Sequence, residues 1–237
     1  GADWYDPDAA ASGTAPDAGP LTFGRPAWFE HWAAEHRAVR EGVGLMDMSF
    51  MAKFLVQGRD AGAVLDHLSA GHVDVALTEL PAGQGRVTYT QWLDDTGHLQ
   101  ADLTVTKLDE ERFWVVASDT AHRHVETMLR RTLGFGRFAE AHATVTDVTS
   151  GWAQLNVQGP RSRELLASLT TVDLSHDVFA FRAAGFVDIG YARVLCLRIT
   201  YLGELGYELY IPAEHAVEVY DRIVSAGAGF GLRHTGL

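Results

Sequence analysis

An alternation of apolar and polar residues along 99–107 (LQADLTVTK) predicts a β-strand with one buried face. Residues 86–93 (RVTYTQWL) form another extended stretch, and the turn 94–98 between the two contains Gly97. Together these stretches predict a β-hairpin. The apolar run Arg112–Ala117 follows and predicts a neighbouring strand.

The same alternation predicts which side chains of the hairpin share a face. The polar face of the second strand carries Gln100, Asp102, Thr104 and Thr106. Pairing the two strands outward from the turn places Tyr89 opposite Leu103. We therefore expect Tyr89 to lie off the face that carries Asp102.

A strand followed closely by a helix is predicted at three places, in residues 56–70 (VQGRDAGAVLDHLSA), 157–171 (VQGPRSRELLASLTT) and 207–227 (YELYIPAEHAVEVYDRIVSAG). We expect Pro160 and Pro212 at the start of the second and third helices, because the first helical position needs no amide hydrogen. Strand–helix units separated by hairpins favour an α+β fold, in which helices pack on antiparallel or mixed sheets.

The ends of the chain differ in pattern from its middle. Residues 1–27 are rich in Ala, Asp, Gly and Pro without a hydrophobic period, which predicts a linker or wrapping arm. From residue 28 the apolar positions follow helical spacing, so we expect the folded domain to span residues 28–237. A long hairpin is expected between Val187–Tyr201 and Tyr207–Ile211. The chain stops at GLRHTGL, at the edge of an unfinished element, and we expect it to be part of a longer polypeptide.

Composition and charge narrow the range of functions. The 237 residues include 31 Asp and Glu against 19 Lys and Arg, a formal charge of −12 without a basic cluster, which argues against nucleic-acid binding. No apolar run approaches the roughly 20 residues of a membrane span, and no secretory signal is visible. Cys196 is the only cysteine, which excludes an internal disulfide and fits a reducing compartment, the cytoplasm or, in a eukaryote, the mitochondrial matrix.

Several common catalytic motifs are absent from the sequence. No GxGxxG follows a strand, and GxxxxGK[ST], HExxH and GxSxG do not occur, so we expect no dinucleotide-binding fold in this chain. His122 and His124 fall on a predicted helix, where side chains two positions apart diverge. This pair therefore favours a surface position over a metal site, and no metal is expected.

Two groups of polar residues are candidates for a functional site. Asp102 lies in mid-strand, where Asp is disfavoured, and is either part of a solvated face or a carboxylate that faces a cavity and accepts a proton. Tyr201, Glu204 and Glu208 surround a glycine-bounded turn in ITYLGELGYELYIP (199–212). They are either exposed side chains of a plain hairpin or a site for a flat heterocycle that stacks on tyrosine and donates N–H groups to carboxylates.

These stretches resemble the glycine-cleavage T-protein (aminomethyltransferase) superfamily. RVTYTQWLDDTGHLQADLTVTKL (86–108) is similar to its YT-x-x-LN-x-x-GG-x-x-x-DL-x-V segment, and ITYLGELGYELYIP is similar to its YTGE-x-G-x-E segment. EHRAVREGVGLMDMSFMAKFLVQG and QGPRSRELL resemble the branch that forms the C-terminal half of sarcosine and dimethylglycine dehydrogenases. The resemblance runs from about Gly24 to Leu237.

The resemblance implies a T-protein-like folate-binding fold, here with two interleaved subdomains and with the third subdomain of the family absent. It implies that tetrahydrofolate binds centrally and that Asp102 is the acidic residue near the reactive nitrogens of the pterin. The residues that match its cofactor-binding segments are Tyr89, Thr104, Tyr201, Glu204 and Glu208.

The implied reaction is tetrahydrofolate-dependent one-carbon transfer. An N-methylated amine such as sarcosine or dimethylglycine would be oxidised by FAD in a separate flavin dehydrogenase domain or subunit. The iminium or formaldehyde equivalent would then be captured as 5,10-methylenetetrahydrofolate.

Two other functions remain open on the sequence alone. The first is a T-protein-like aminomethyltransferase, or an O- or S-demethylase, which would use the same folate site with another donor. The second is a non-catalytic scaffold with the folate-binding fold. Scaffold relatives carry a cysteine motif, whereas Cys196 lies in an apolar strand (VLCLRI) expected in the core.

Overall fold

The computed structural model describes residues 23–26 and 28–236, so the predicted linker 1–27 lies almost wholly outside the described residues. The helices of the described part are α1 (Phe29–Glu41), α2 (Ala61–Leu68), α3 (His122–Gly134), α4 (Ser162–Ala167) and α5 (Ala216–Gly227). Its strands are β1 (Val43–Asp47), β2 (Ala52–Gln57), β3 (Gly85–Leu93), β4 (Leu99–Lys107), β5 (Arg112–Ala117), β6 (Thr144–Asp147), β7 (Trp152–Gln158), β8 (Ala183–Ile189), β9 (Ala192–Leu197), β10 (Gly206–Pro212) and β11 (Leu232–His234). None of these helices is long and apolar enough to cross a lipid bilayer.

All of these strands belong to one sheet, in the order β11-β1-β7-β10-β9-β8-β3-β4-β5-β2-β6. Strands β1 and β11 pair in parallel, and the other pairs are antiparallel. A mixed sheet with packed helices is the architecture that the sequence predicted, and the α+β class is confirmed.

The sheet has two helix-covered cores on one face. Helices α2 and α3 cover strands β2 to β5, where Leu65 and Leu129 are fully buried. Helices α4 and α5 cover strands β1 and β7 to β10, where Leu165 and Ile223 are fully buried. A third apolar cluster, which includes Trp114, joins strands of both halves.

Aromatic contacts in the third cluster show that the sheet curls on itself. Trp114 on β5 contacts Tyr210 on β10, with ring centroids 5.5 Å apart, and Trp152 on β7, with centroids 5.2 Å apart. These partner strands are five and six places away from β5 in the sheet order. Such contacts require the two halves of the sheet to face each other, which creates a hollow between them.

The hairpin β3–β4 forms as predicted, but its predicted register is wrong by one residue. Tyr89 pairs with Thr104 rather than with Leu103. The cause is a β-bulge near the turn, where Trp92 pairs with Ala101 while Leu93 pairs with Leu99. The extra residue shifts every later pair by one position and moves Tyr89 onto the face that carries Asp102.

Three element boundaries also differ from the predictions. The expected strand Val187–Tyr201 is divided by a turn at Gly190 (φ +60°), so its first residues belong to β8 and its middle forms β9. Pro160 lies two residues before α4, and the amide of the intervening Arg161 donates to Gly42 O (3.2 Å). Pro212 ends β10, and a 3₁₀ turn separates it from α5.

Candidate functional site

A cavity of about 800 Å³ lies in the hollow of the curled sheet. Its apolar lining consists of Met48, Phe50, Met51, Leu103, Val116, Phe181 and Ile199. Its polar lining consists of Tyr89, Asp102, Thr104, Ser118, Asp119, Gln154, Asn156, Arg182, Thr200, Tyr201 and Glu208. A volume of this size with a mainly apolar wall and a few polar groups is typical of a site for a small organic molecule.

Five of the six residues singled out from the sequence line this cavity. They come from β3, from β4, from the connection after β9 and from β10, and they are Tyr89, Asp102, Thr104, Tyr201 and Glu208. The sixth, Glu204, is not among the residues that line it. Strands and connections that are more than a hundred residues apart in sequence therefore meet around one space.

Asp102 and Tyr89 are joined across the hairpin. The Tyr89 hydroxyl donates to Asp102 Oδ2 at 2.8 Å, which the bulge-shifted register makes possible. This hydrogen bond to a carboxylate raises the pKa of the Tyr89 phenol, and the nearby Tyr201 phenol adds to the shift. Tyr89 thus fixes one carboxylate oxygen of Asp102 and leaves Oδ1 available to a ligand or a proton.

Glu208 is a partly buried carboxylate of the cavity. It pairs with Asn156 of β7 across the sheet, and its Oε2 accepts a hydrogen bond from the Tyr210 hydroxyl at 2.7 Å. Burial raises the pKa of the Glu208 carboxyl, while the hydrogen bonds from Tyr210 and Asn156 act in the opposite direction. Burial also raises the pKa of Tyr210, so this phenol stays protonated and remains a donor.

Aromatic side chains line the cavity with unusually exposed rings. Phe50, Tyr89, Phe181 and Tyr201 are 47%, 58%, 50% and 63% exposed, respectively. Exposed apolar rings that converge on one cavity commonly mark a ligand site. Their faces suit a flat heterocycle, which would stack on them and shield them from water.

Glu204 points away from the group it was predicted to join. It forms an ion pair with Arg40 at the end of α1. The backbone between Tyr201 and Glu208 turns through Gly203 (φ +86°), a conformation that favours glycine. This turn separates Glu204 from the other two side chains, so the three do not converge as the sequence suggested.

Gln154 and Asn156 line the cavity and were missed by sequence reasoning. Both belong to β7, where polar residues at 154, 156 and 158 alternate with apolar residues at 153, 155 and 157. That alternation in WAQLNVQ was the signal that could have identified them. Gln154 is 1% exposed, and its Oε1 has no hydrogen-bond partner within the described structure. A buried acceptor without a partner is costly, so the base of the cavity favours a ligand that supplies donors.

The segment Met48–Met51, which contributes to the lining, is held by a buried lysine. Lys53 is fully buried, and its Nζ donates to Ser49 O at 2.9 Å and to Met51 O at 2.8 Å. Burial lowers the pKa of Lys53 to about 8, although Asp47 and Asp147 oppose the shift. Lys53 therefore acts on the shape of the cavity wall and does not belong to its lining.

The described residues contain one group with metal-ligand geometry, His122, Glu126 and Asp147, whose ligand atoms lie within 4.8 Å of one another. These side chains already have partners, because His122 Nε2 is 2.7 Å from Asp147 and Glu126 pairs with Arg123 and Arg130. Such pairing balances the charges without a metal. His124 instead bonds Gln100 (3.1 Å), so His122 and His124 diverge as predicted.

Cys196 occupies the core rather than a reactive position. It is fully buried within β9, and burial raises the pKa of its thiol far above the usual range. A thiol in this state is neither a nucleophile nor a metal ligand. The expectation that Cys196 is a core residue is confirmed.

Comparison with known proteins gives sequence and structural relatives. Residues 2–237 match the family described as the GCVT N-terminal domain. The chain is 36% identical over 99% of its length to 4-methylaminobutanoate oxidase (formaldehyde-forming) of Paenarthrobacter nicotinovorans. It is 31% identical over 89% of its length to mitochondrial dimethylglycine dehydrogenase of Mus musculus.

Among solved structures, glycine cleavage system aminomethyltransferase T of Bartonella henselae has the same fold. The TM-score is 0.67 at 24% identity, and the match covers 85% of this chain and 50% of that chain. This likeness confirms the predicted T-protein-like architecture. The chain spans only about a quarter of the two curated relatives, 26% of the oxidase and 23% of the dehydrogenase.

Proposed function

The chain belongs to the GCVT N-terminal domain family, and from this we propose that it binds tetrahydrofolate and transfers to it the one-carbon unit removed from an N-methylated amine. The product would be 5,10-methylenetetrahydrofolate. The names of the two relatives, a formaldehyde-forming 4-methylaminobutanoate oxidase and a dimethylglycine dehydrogenase, support an N-methylated amino acid as donor. The family match confirms the resemblance that the sequence motifs indicated.

The observation that carries this proposal is the meeting of Asp102, Tyr201 and Glu208 around a single cavity. Asp102 lies on an exposed hairpin face, Tyr201 on a connection, and Glu208 on a different part of the sheet. If these three side chains belonged to separate solvated faces, they would lie far apart. Their convergence is expected if one ligand contacts all three.

The residues present fit a reduced pterin. A pterin ring is flat and carries several N–H donors along one edge, while this cavity offers exposed aromatic rings and acceptors on Glu208 and Gln154. When bound, tetrahydrofolate supplies the nitrogen atoms that accept the one-carbon unit. Glu208 and Tyr201 would orient the ring, and Asn156 would hold Glu208 in place through its hydrogen bond.

Asp102 would manage the proton that leaves when the new carbon–nitrogen bond forms. Its Oδ2 is occupied by the Tyr89 hydroxyl, so Oδ1 is the oxygen that would take the proton. The carboxylate would also stabilise positive charge that develops beside it. Most of the acceleration would come from holding two reactants close together, since no protein nucleophile is needed.

We further propose that residues 28–237 act as the folate-binding domain, with two interleaved subdomains that correspond to the two helix-covered cores. Oxidation of the amine requires a flavin, which we assign to a separate domain or subunit. The residues that line the cavity would bind the pterin and move the proton, and the flavin partner would oxidise the amine.

Calorimetric titration of the full-length protein with tetrahydrofolate under anaerobic conditions tests the proposal. We expect binding at a single site, weakened about tenfold by Tyr201→Ala through loss of ring stacking. The matched control is Tyr191→Ala, which removes an even more exposed tyrosine from the turn between β8 and β9. The absence of tetrahydrofolate binding by the wild-type protein would overturn the proposed function.

Gln154→Met is expected to weaken tetrahydrofolate binding without lowering the free energy of unfolding. It replaces a buried amide, whose Oε1 has no partner and whose Nε2 makes one long hydrogen bond to Asn156 (3.3 Å), with an apolar side chain of similar length, so the free energy of unfolding should stay constant or rise by about 1 kcal/mol. The dissociation constant for tetrahydrofolate should increase about fivefold, because one acceptor is lost. Urea unfolding and calorimetry measure the two effects.

The control for this variant is Gln57→Met, on an exposed position of β2. It should change neither quantity. A Gln154→Met protein that unfolds at lower urea but binds tetrahydrofolate normally would show that Gln154 has only a structural role.

A further inference from the structure

The charges that line the cavity are unbalanced. Three carboxylates, those of Asp102, Asp119 and Glu208, contribute to it, and Arg182 is the single cationic side chain among the described lining residues. The chain as a whole carries a formal charge of −12. A ligand that bears a carboxylate would meet repulsion nearly everywhere in this space except at Arg182.

The guanidinium of Arg182 is only partly used by the protein. Its Nε donates to Val87 O at 2.9 Å, and the two terminal nitrogens form no hydrogen bond or ion pair within residues 23–26 and 28–236. Several other arginines of the described residues form an ion pair with a carboxylate, as Arg40 does with Glu204. Arg182 therefore retains the two donors that bind a carboxylate side by side.

The backbone at Arg182 is also unusual. Its φ is +70°, and among the described residues it is the only non-glycine with a positive φ. Its amide donates to Arg198 O and its carbonyl accepts from Val87 N, each at 2.8 Å, so the strained conformation is fixed from both sides. A side chain is kept here at a conformational cost that glycine would avoid, which indicates a use for that side chain.

We propose that Arg182 binds a carboxylate of the ligand in this cavity. The inference rests on the proposed function, under which two ligands carry such a group: the glutamate tail of tetrahydrofolate and the carboxylate of an N-methylated amino acid. The same chemistry serves both, since a guanidinium recognises either carboxylate with two parallel hydrogen bonds.

The test compares ligands with and without the carboxylate, using wild-type full-length protein and Arg182→Gln. If Arg182 holds the tail, the variant should bind tetrahydrofolate roughly tenfold to a hundredfold more weakly, while its affinity for 6-methyltetrahydropterin, which has no tail, changes less than about twofold. If Arg182 holds the donor, tetrahydrofolate binding should be unchanged, and ligand-observed NMR should show weaker binding of N-methylglycine but not of dimethylamine.

Controls address the structural contacts of Arg182. Arg182→Gly relieves the positive φ and should keep the fold, yet it should show the same selective loss as Arg182→Gln. Arg193→Gln on β9, whose guanidinium lies over Phe186 at 4.4 Å, should leave all affinities unchanged. Equal weakening of all ligands, or no weakening of any, in the Arg182 variants would overturn the inference. Wild-type protein that binds neither folate nor pterin would instead overturn the proposed function, and this inference with it.

Discussion

Asp102→Asn is expected to lower the rate of 5,10-methylenetetrahydrofolate formation by about a hundredfold to ten-thousandfold, the usual range for loss of a general base. The fold should persist, because Asp102 is exposed and an amide oxygen can still accept the Tyr89 hydroxyl. Tetrahydrofolate should still bind within about threefold of the wild-type affinity, since ring contacts with Tyr201 and Glu208 remain. Product formation from the N-methylated amine by the full-length protein is the measurement.

The control for this experiment is Asp95→Asn, which removes the same charge from the turn of the same hairpin. It should transfer the one-carbon unit at the wild-type rate. Undiminished product formation by the Asp102→Asn variant would remove Asp102 from the mechanism. Tyr89→Phe should give a smaller loss than Asp102→Asn, because Tyr89 acts on the reaction only by positioning the carboxylate.

Glu208→Gln is expected to weaken tetrahydrofolate binding by roughly tenfold to a hundredfold, because hydrogen bonds from ligand N–H groups to a charged acceptor are replaced by bonds to a neutral amide. Stability should be retained or increased. Burial raises the pKa of Glu208, which shows that the folded protein disfavours its charge. Calorimetry gives the dissociation constant, and thermal unfolding gives the stability.

The matched control is Glu214→Gln, an exposed position just beyond β10. It should leave the dissociation constant unchanged. If Glu208→Gln and Glu214→Gln bind tetrahydrofolate equally well, Glu208 is not part of the binding site. A Glu208→Gln protein that fails to fold would be replaced by Asn156→Leu, which removes a partner of Glu208 and should weaken binding in the same direction.

The raised pKa of Glu208 also gives a direction for pH dependence. Between the ordinary pKa of a glutamate and this raised value, the folded chain binds more protons than the unfolded chain, so the contribution of Glu208 to stability falls as the pH rises through that window. Ligand affinity should change in the opposite sense and increase as Glu208 ionises. Both dependences should disappear in Glu208→Gln, and their persistence there would assign them to another group.

The alternation of apolar and polar residues correctly predicted which side chains share a face of β4. It predicted the pairing register of the β3–β4 hairpin wrongly by one residue. The period of two in strand β4 placed Asp102 and Thr104 on a common face, as the structure shows. It gave no sign of the bulge beside Trp92, which shifts Tyr89 onto that face. A bulge is decided by how two strands and their neighbours fit together, and a single strand's periodicity carries no record of it.

The turn between β9 and β10 likewise shows that contacts with distant residues, and not local spacing, decide where a side chain lies. Sequence spacing grouped Glu204 with Tyr201 and Glu208 because all three surround two glycines. In the folded chain Glu204 reaches Arg40, which lies 164 residues earlier, and Glu208 reaches Asn156 on another strand. Which carboxylate enters the cavity was therefore settled by partners that the motif does not contain.

Most helices and strands, their buried faces and the family motifs could be predicted from the sequence, since these depend on residues a few positions apart. Three other features follow only from tertiary packing: the sheet curls until Trp114 meets Tyr210, the Oε1 of Gln154 lies without a partner beneath the hollow, and Arg182 takes a strained backbone beside it. The physical reason is that curling and burial come from packing between strands far apart in the chain. Hydrophobic periodicity records which face is buried but not what that face meets.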